Sequence, residues 1–244
     1  MKTRLTTNMQ NFLDIPIAHR GWHDEKISEN SMLAFKKAID KGVAIEIDLR
    51  LTADNVLVVF HDHNLKRMTG VAGEIEELTY KQLQNYSLYD GQKIPTFKEV
   101  LSLVAGRVPL LIEFKVHKKN QRALVDKAMQ LLEGYDRSTV AFQSFYPQCL
   151  RYGKKTYPQI AFGQLGTYDF GKKFYFKFLV AILVAFEVPM ADFLSFDVRF
   201  LPRKSIQKYR QKGKKVLCWL VNTEQKHKIA LQNSDNIIFE KIFD

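Results

Sequence analysis

The stretch AIEIDLRLTADNVLVVFHDH, residues 44–63, decides the fold. Its first half alternates Ile45, Ile47 and Leu49 with Glu46, Asp48 and Arg50, the period-two pattern of a strand whose successive side chains take opposite faces. Residues 56–61 are strand-like as well, but only about seven residues separate them from Asp48, and a parallel crossover needs about a dozen or more. The spacing therefore predicts a hairpin. Strand two overshoots, turns at Ala53, Asp54 and Asn55, and returns so that His61 stands level with Asp48.

Outward from this hairpin, β-rich runs alternate with helical patterns along the whole chain, the mark of repeated βα units and a parallel sheet. The runs fall at 15–19, 44–52, 109–115, 139–144, 159–164, 192–197, 215–221 and 236–240. Eight such strands close a (β/α)8, or TIM, barrel, and the 244 residues suit that fold's usual length of about 250. Between the strands, Asn30 is expected to cap a helix carrying Leu33, Ala34, Ala38 and Ile39 and stopped by Gly42. Further helices are predicted over 96–105, 121–133, 147–155, 202–212 and 224–232. No repeat, low-complexity tract or linker interrupts this pattern, so the expectation is one α/β domain over residues 1–244. Residues 167–190, with KKFYFKFLVAILVAF at 172–186, read as an insertion. Such a segment is either a substrate cap, whose basic and aromatic residues could also rest on an anionic membrane, or an ordinary barrel helix packed on the core.

Composition narrows the class. Thirty-seven basic residues against twenty-six acidic ones give a formal charge of +11, which favours anionic partners such as phosphate esters or acidic lipid surfaces. No aromatic RNA-binding motif, helix-turn-helix signature or zinc finger accompanies the charge, so nucleic acid is not expected as a partner. Cys149 and Cys218 are isolated, which excludes a disulfide framework and a zinc cluster and suggests a reducing compartment. The first 21 residues hold no apolar run of signal-peptide length, and the longest apolar stretch, 178–186, is too short to span a bilayer. The expected location is the cytoplasm, with peripheral membrane contact through 167–190 as the variant.

The candidate chemistry begins at His19, where strand one ends on the face that carries barrel active sites. Beside it, Arg20 could hold a phosphate oxygen and Gly21 permits a tight turn. Glu46 and Asp48 share one side of strand two, and Glu113 joins them from the next barrel strand, LLIEFK at 110–115. Carboxylates gathered in a barrel interior repel unless a cation lies between them, and oxygen donors suit one divalent ion, Mg2+, Ca2+ or Mn2+. The alternative is an exposed strand with Glu46 and Asp48 in water. Lys115 is either a second cation for a substrate phosphate or the ion-pair partner of Glu113 or Glu46. His19 and His61 together could act as general base and general acid. Asp62 either orients a histidine ring or caps the next turn, and His23 and His63 are expected at the surface, turned away from the site.

AHRG at 18–21, ENSMLAFKKA at 29–38, EIDLRLTAD at 46–54, VVFHD at 58–62, KIPTF at 93–97 and EFK at 113–115 together resemble the glycerophosphodiester phosphodiesterase family in order and spacing. The resemblance implies a TIM barrel, a divalent metal, and hydrolysis of small-molecule glycerophosphodiesters to glycerol 3-phosphate and an alcohol. It makes His19 and His61 the acid/base pair, Glu46, Asp48 and Glu113 the metal ligands, and Arg20 and Lys115 phosphate contacts. Trp219, in CWLVN at 218–222, would line the glycerol pocket. The chain departs from the family pattern at NSDNIIFE, 233–240, and at Leu220, where Phe239 would narrow that pocket. Two rival functions share these residues: a lysophospholipase D-like or cyclising enzyme acting on lysolipids, and a barrel that binds glycerol phosphates or a membrane surface without catalysis.

Overall fold

The computed structural model describes residues 12–169 and 191–242. The sequence-predicted insertion therefore lies, from residue 170 to 190, outside the described residues. The eight expected strands form: β1 (Ile17–Ala18), β2 (Ala44–Leu51), β4 (Leu110–Phe114), β5 (Val140–Ser144), β6 (Ala161–Gly166), β7 (Phe193–Asp197), β8 (Lys215–Val221) and β9 (Asn236–Phe239), with the hairpin strand β3 (Leu57–Val59) appended to β2. The fold is a (β/α)8 barrel. The helices are α1 (Met32–Asp40), α2 (Lys66–Thr69), α3 (Tyr80–Leu83), α4 (Phe97–Val104), α5 (Gln121–Leu131), α6 (Pro147–Thr156), α7 (Lys204–Gln211) and α8 (Glu224–Asn233). Among the described residues no helix is long and apolar enough to cross a membrane.

The chain divides into two compact units, Ala18–Val140 and a second made of Met1–Ile17 with Ala141–Asp244. In the first, β2 is buried along its whole length, because Ile45, Ile47 and Leu49 pack on one face while the polar residues turn to the other. It pairs in parallel with β4, Ile47 opposite Ile112 and Asp48 opposite Glu113. Ser31, not Asn30, caps α1, accepting from Ala34 N. Asn30 instead turns inward: it is buried, sits at φ 52° and donates to Asp48 Oδ2 at 2.8 Å. Helices α3 and α4 both start with a capping box, Thr79 with Gln82 and Thr96 with Glu99.

The hairpin departs from the expected register by one residue. The pairs Leu51–Leu57, Arg50–Val58 and Leu49–Val59 reflect about Asp54, and Phe60 N donates to Asp48 O at 2.9 Å. Phe60, rather than His61, is thus level with Asp48. The turn is centred by Thr52, whose hydroxyl accepts from Val56 N at 2.9 Å and donates to Asp54 Oδ1 at 2.6 Å. The excursion that follows has its own apolar centre of Val58, Phe60, Leu65, Met68, Ile75, Leu83, Leu88 and Ile94. That satellite core fixes residues 61–70 over the strand end.

In the second unit, β6 to β9 pair in parallel in sequence order, with an irregularity between Cys218 and Val221 where β8 meets β9. Asp235 secures the β8 edge by accepting from Val216 N at 2.8 Å. Two glycines are demanded by packing. A Cβ on Gly153 of α6 would lie 2.4 Å from the Phe162 ring, and one on Gly163 of β6 would lie 2.1 Å from the Phe193 ring. Overpacking a filled core costs about 1–3 kcal/mol, so Gly163→Ala is expected to lower the stability read from urea unfolding by about that much. A Phe193→Leu second change should recover part of the loss through a positive coupling in the double-mutant cycle. An unchanged midpoint in the single variant would mean that the aromatic layer is not packed as described.

Candidate active site

Three carboxylates on two neighbouring strands form the centre of the first unit. The parallel register sets Asp48 beside Glu113, and Glu46 stands two residues back on the same face of β2. All three are buried, and their ligand atoms lie within 4.8 Å of one another. Burial excludes the alternative of an exposed strand with Glu46 and Asp48 in water.

Cations and donors surround the group without matching it. Lys115 Nζ lies 2.6 Å from Glu113 Oε1 and 3.0 Å from Asp48 Oδ1. Arg20 donates its backbone N–H to Glu46 Oε2 at 3.1 Å and brings Nε to 3.4 Å from Asp48 Oδ2. Its backbone reaches that position because Arg20 adopts φ 55° and Gly21 φ 83°. A Cβ on Gly21 would also come within 2.9 Å of the Ala34 Cβ, so the turn after β1 needs glycine on both counts.

The titration behaviour follows from this geometry. Burial, then repulsion from Asp48 and Glu113, pushes the Glu46 carboxyl well above the ordinary carboxylate range. Glu113 is raised by burial despite the pull of Lys115. Burial acts on Asp48 in the same sense, but Lys115, His61, Arg20 and His19 outweigh it and hold Asp48 ionised far below the usual range. Lys115 is itself raised: burial opposes its charge, and Asp48 and Glu113 more than offset that.

A divalent cation fits this set. The donors are all carboxylate oxygens, the type preferred by Mg2+, Ca2+ and Mn2+. Asp48 Oδ1 has no aligned hydrogen-bond donor although Lys115 stands 3.0 Å away, so it keeps acceptor capacity inside the cluster. An added positive charge would also relieve the repulsion that raises Glu46.

His61 lies two residues past the end of β3 and is held at both ends. Arg50 Nε and Nη2 donate to the His61 carbonyl at 2.9 and 2.7 Å, while Arg50 Nη1 pairs with Glu76 at 2.6 Å. The ring Nδ1 lies 2.6 Å from Asp62 Oδ1, so Asp62 orients the ring. Burial lowers the His61 pKa to about 4 despite the opposing charge of Asp48, and the imidazole is neutral at pH 7. His19 follows β1 and helps hold Asp48 ionised. The site opens on a cavity of about 650 Å3 whose lining includes His61, Asp62, Asn64, Lys66, Arg67 and Lys115. His63 is exposed, as expected, and also lines this cavity. Trp219 belongs to the second unit, where its Nε1 donates to Ser195 O at 3.0 Å and its ring meets Phe145 edge-on.

Three members escape sequence reasoning. Glu29 and Asn30 lie in the ENS stretch, whose pattern reads as the approach to a helix cap. Arg67 stands in a segment with no periodicity, and only its partners reveal it.

A (β/α)8 barrel with three buried carboxylates that could hold a metal ion, and a histidine nearby, defines the class. This chain belongs to the glycerophosphoryl diester phosphodiesterase family, whose model matches residues 19–240. It is 31% identical over 159 residues to a glycerophosphodiester phosphodiesterase of Caldanaerobacter subterraneus, covering 61% of this chain and 65% of that one. A human lysophospholipase D is 36% identical over 142 residues, which are 52% of this chain and 44% of the human one. The matched segments thus span less than two thirds of these relatives. Among solved structures, an Oleispira antarctica phosphodiesterase in complex with the product sn-glycerol-3-phosphate superposes with a TM-score of 0.78 at 22% identity, covering 94% of each chain.

Metal occupancy should register as stability. At a free ion concentration about 100 times Kd, binding to the folded state alone adds about 2.7 kcal/mol, a rise in Tm of about 5–10 °C for a chain of this size. Titrating Mg2+, Ca2+ and Mn2+ into EDTA-treated protein should give that rise with at least one ion, and Asp48→Asn should abolish it. An equal rise in the variant would remove the carboxylates from the metal site.

Proposed function

We propose that the protein is a metal-dependent phosphodiesterase that hydrolyses glycerophosphodiesters to glycerol 3-phosphate and an alcohol, with His19 and His61 as its acid/base pair. The observation that carries this reading is the opening of His61 and Lys115 onto one cavity, with Lys115 ion-paired to the buried carboxylates Asp48 and Glu113. Family membership supports it.

In this reading Glu46, Asp48 and Glu113 hold Mg2+, Ca2+ or Mn2+, and the bound ion supplies positive charge against the phosphate oxygens. Lys115 has donor capacity beyond its two carboxylate partners, and Arg20 adds a guanidinium; both contact the phosphate. One histidine takes the proton of the glycerol 2-hydroxyl as that oxygen bonds phosphorus. The other gives a proton to the departing alcohol oxygen, and water then opens the cyclic phosphate.

A second reading, hydrolysis of lysolipids, is favoured by the human lysophospholipase D among the relatives.

The reading is tested by phosphorus NMR of glycerophosphocholine, glycerophosphoglycerol, glycerophosphoinositol and lysophosphatidylcholine incubated with each metal. Metal-dependent release of glycerol 3-phosphate is expected, and His19→Ala or His61→Ala should lower kcat by about 10²–10⁴-fold. Turnover of the lysolipid alone would transfer the assignment to the second reading, and near-normal turnover in either variant would remove that histidine from the pair.

A further inference from the structure

We infer that Arg67 is a positioning residue for the acid/base chemistry: it clamps Asp62 against His61, fixes the ring as its Nδ1–H tautomer, and so makes His61 the base of the pair. The inference rests on His61 belonging to that pair and adds which role it plays and what holds it there.

The contacts form one continuous line. Asp62 Oδ1 lies 2.6 Å from His61 Nδ1, and Asp62 Oδ2 accepts from Arg67 Nε at 2.6 Å. The other end of the same guanidinium grips Glu29 with both terminal nitrogens, Nη1 to Oε2 at 2.9 Å and Nη2 to Oε1 at 2.6 Å. Glu29 Oε1 also accepts from Arg20 Nη1 at 2.8 Å. Arg67 therefore joins the carboxylate that orients His61 to the carboxylate that orients the proposed phosphate contact.

An ionised carboxylate can only accept. Asp62 is ionised near neutral pH, its two hydrogen bonds outweighing the effect of burial and holding it at about 2. The proton between the partners therefore sits on His61 Nδ1, and the neutral ring offers Nε2 as a lone pair. In the proposed reaction that nitrogen takes the glycerol 2-hydroxyl proton as the hydroxyl oxygen bonds phosphorus. The bond from phosphorus to the alcohol oxygen breaks, and His19 supplies the proton to that oxygen. A carboxylate holding the tautomer of a catalytic base is a known device of serine proteases; here the carboxylate is held in turn.

Arginine suits this position because its planar fork pairs bidentately with Glu29 while Nε reaches Asp62, a geometry an ammonium lacks. The scaffold under it is stiff. Helix α2 is a single turn anchored by buried Leu65 at its start and Met68 within it, closed by Gly70 at φ 76°. The Arg67 side chain is itself 46% exposed, and exposed ion pairs add little to stability. Its loss should thus appear in the chemistry and hardly in the fold.

The test combines kinetics with a signal from the ring itself. In wild-type protein, ¹⁵N shifts of the His61 imidazole are expected to report the Nδ1–H tautomer, and in Arg67→Ala and Asp62→Asn a mixture or the Nε2–H form. Arg67→Ala should lower kcat about 10–100-fold with KM changed less than about threefold, keep the metal-induced rise in Tm, and recover with added methylguanidine. Arg67→Lys should restore little. If Arg67→Ala does not fold, Asp62→Asn carries the same tautomer and kcat comparison. The inference falls if the variants keep the wild-type tautomer, or if kcat stays within about twofold of wild type. Should the wild-type protein turn over no diester at all, the functional reading fails separately, and the ring shifts still decide whether Arg67 and Asp62 set the tautomer.

Discussion

Burying Glu46, Asp48 and Glu113 together is the constraint from which the rest of the site follows. Charges removed from water are tolerated only when paired and bonded, and here three carboxylates face one lysine and one arginine. The protein meets part of that deficit with neutral donors: Asn30 to Asp48, and the Arg20 backbone N–H to Glu46. What remains appears as the raised Glu46 and Glu113 carboxyls. A hydrophobic trio in the same places would hold the strands together at least as well. The carboxylates therefore make better sense as a charge deficit kept for a cation than as a structural device.

That arrangement explains the irregular segment after β3. The hairpin carries His61 just past the last pair, and the satellite core around Leu65, Met68 and Ile75 holds the excursion in place. Arg50 ties the two together. It lies on β2 among the buried carboxylates, yet its guanidinium fixes the His61 carbonyl, so the strand that supplies two carboxylates also anchors His61.

Much of this was legible in the sequence because it depends on periodicity. The alternation in EIDLRL placed Glu46 and Asp48 on one face, EFK placed Glu113 and Lys115, and all eight barrel strands fell within two or three residues of expectation. The single-residue slip at His61 arose at the turn, where Thr52 and Asp54 settle the register through side-chain bonds that a hydrophobic pattern does not encode. Glu29, Asn30 and Arg67 were missed for a related reason. Asn30 reaches Asp48 across 18 residues and Arg67 reaches Glu29 across 38, and no local spacing carries such a pairing. Asn30 also mimicked something local, since an asparagine before a helical pattern reads as a cap, and the neighbouring Ser31 took that role instead.

Backbone strain marks the same place. Arg20 and Asn30 both lie in the left-handed region, at φ 55° and 52°, and Asn30 N donates to Arg20 O at 2.9 Å. Such conformations cost about 1–3 kcal/mol each and persist only where surrounding contacts over-determine them. Asparagine tolerates the region and arginine does so poorly, so Arg20 is not there for the sake of the turn. The strain lets one residue offer its N–H to Glu46 and its guanidinium to Glu29 and Asp48 at once. A glycine at position 20 would relax the backbone and keep the bond to Glu46, but it would leave Glu29 with Arg67 as its only guanidinium and Asp48 with one cation fewer. The site is thus built at the expense of local conformational energy, which the packing of α1 against Gly21 and the ladder between β2 and β4 offset.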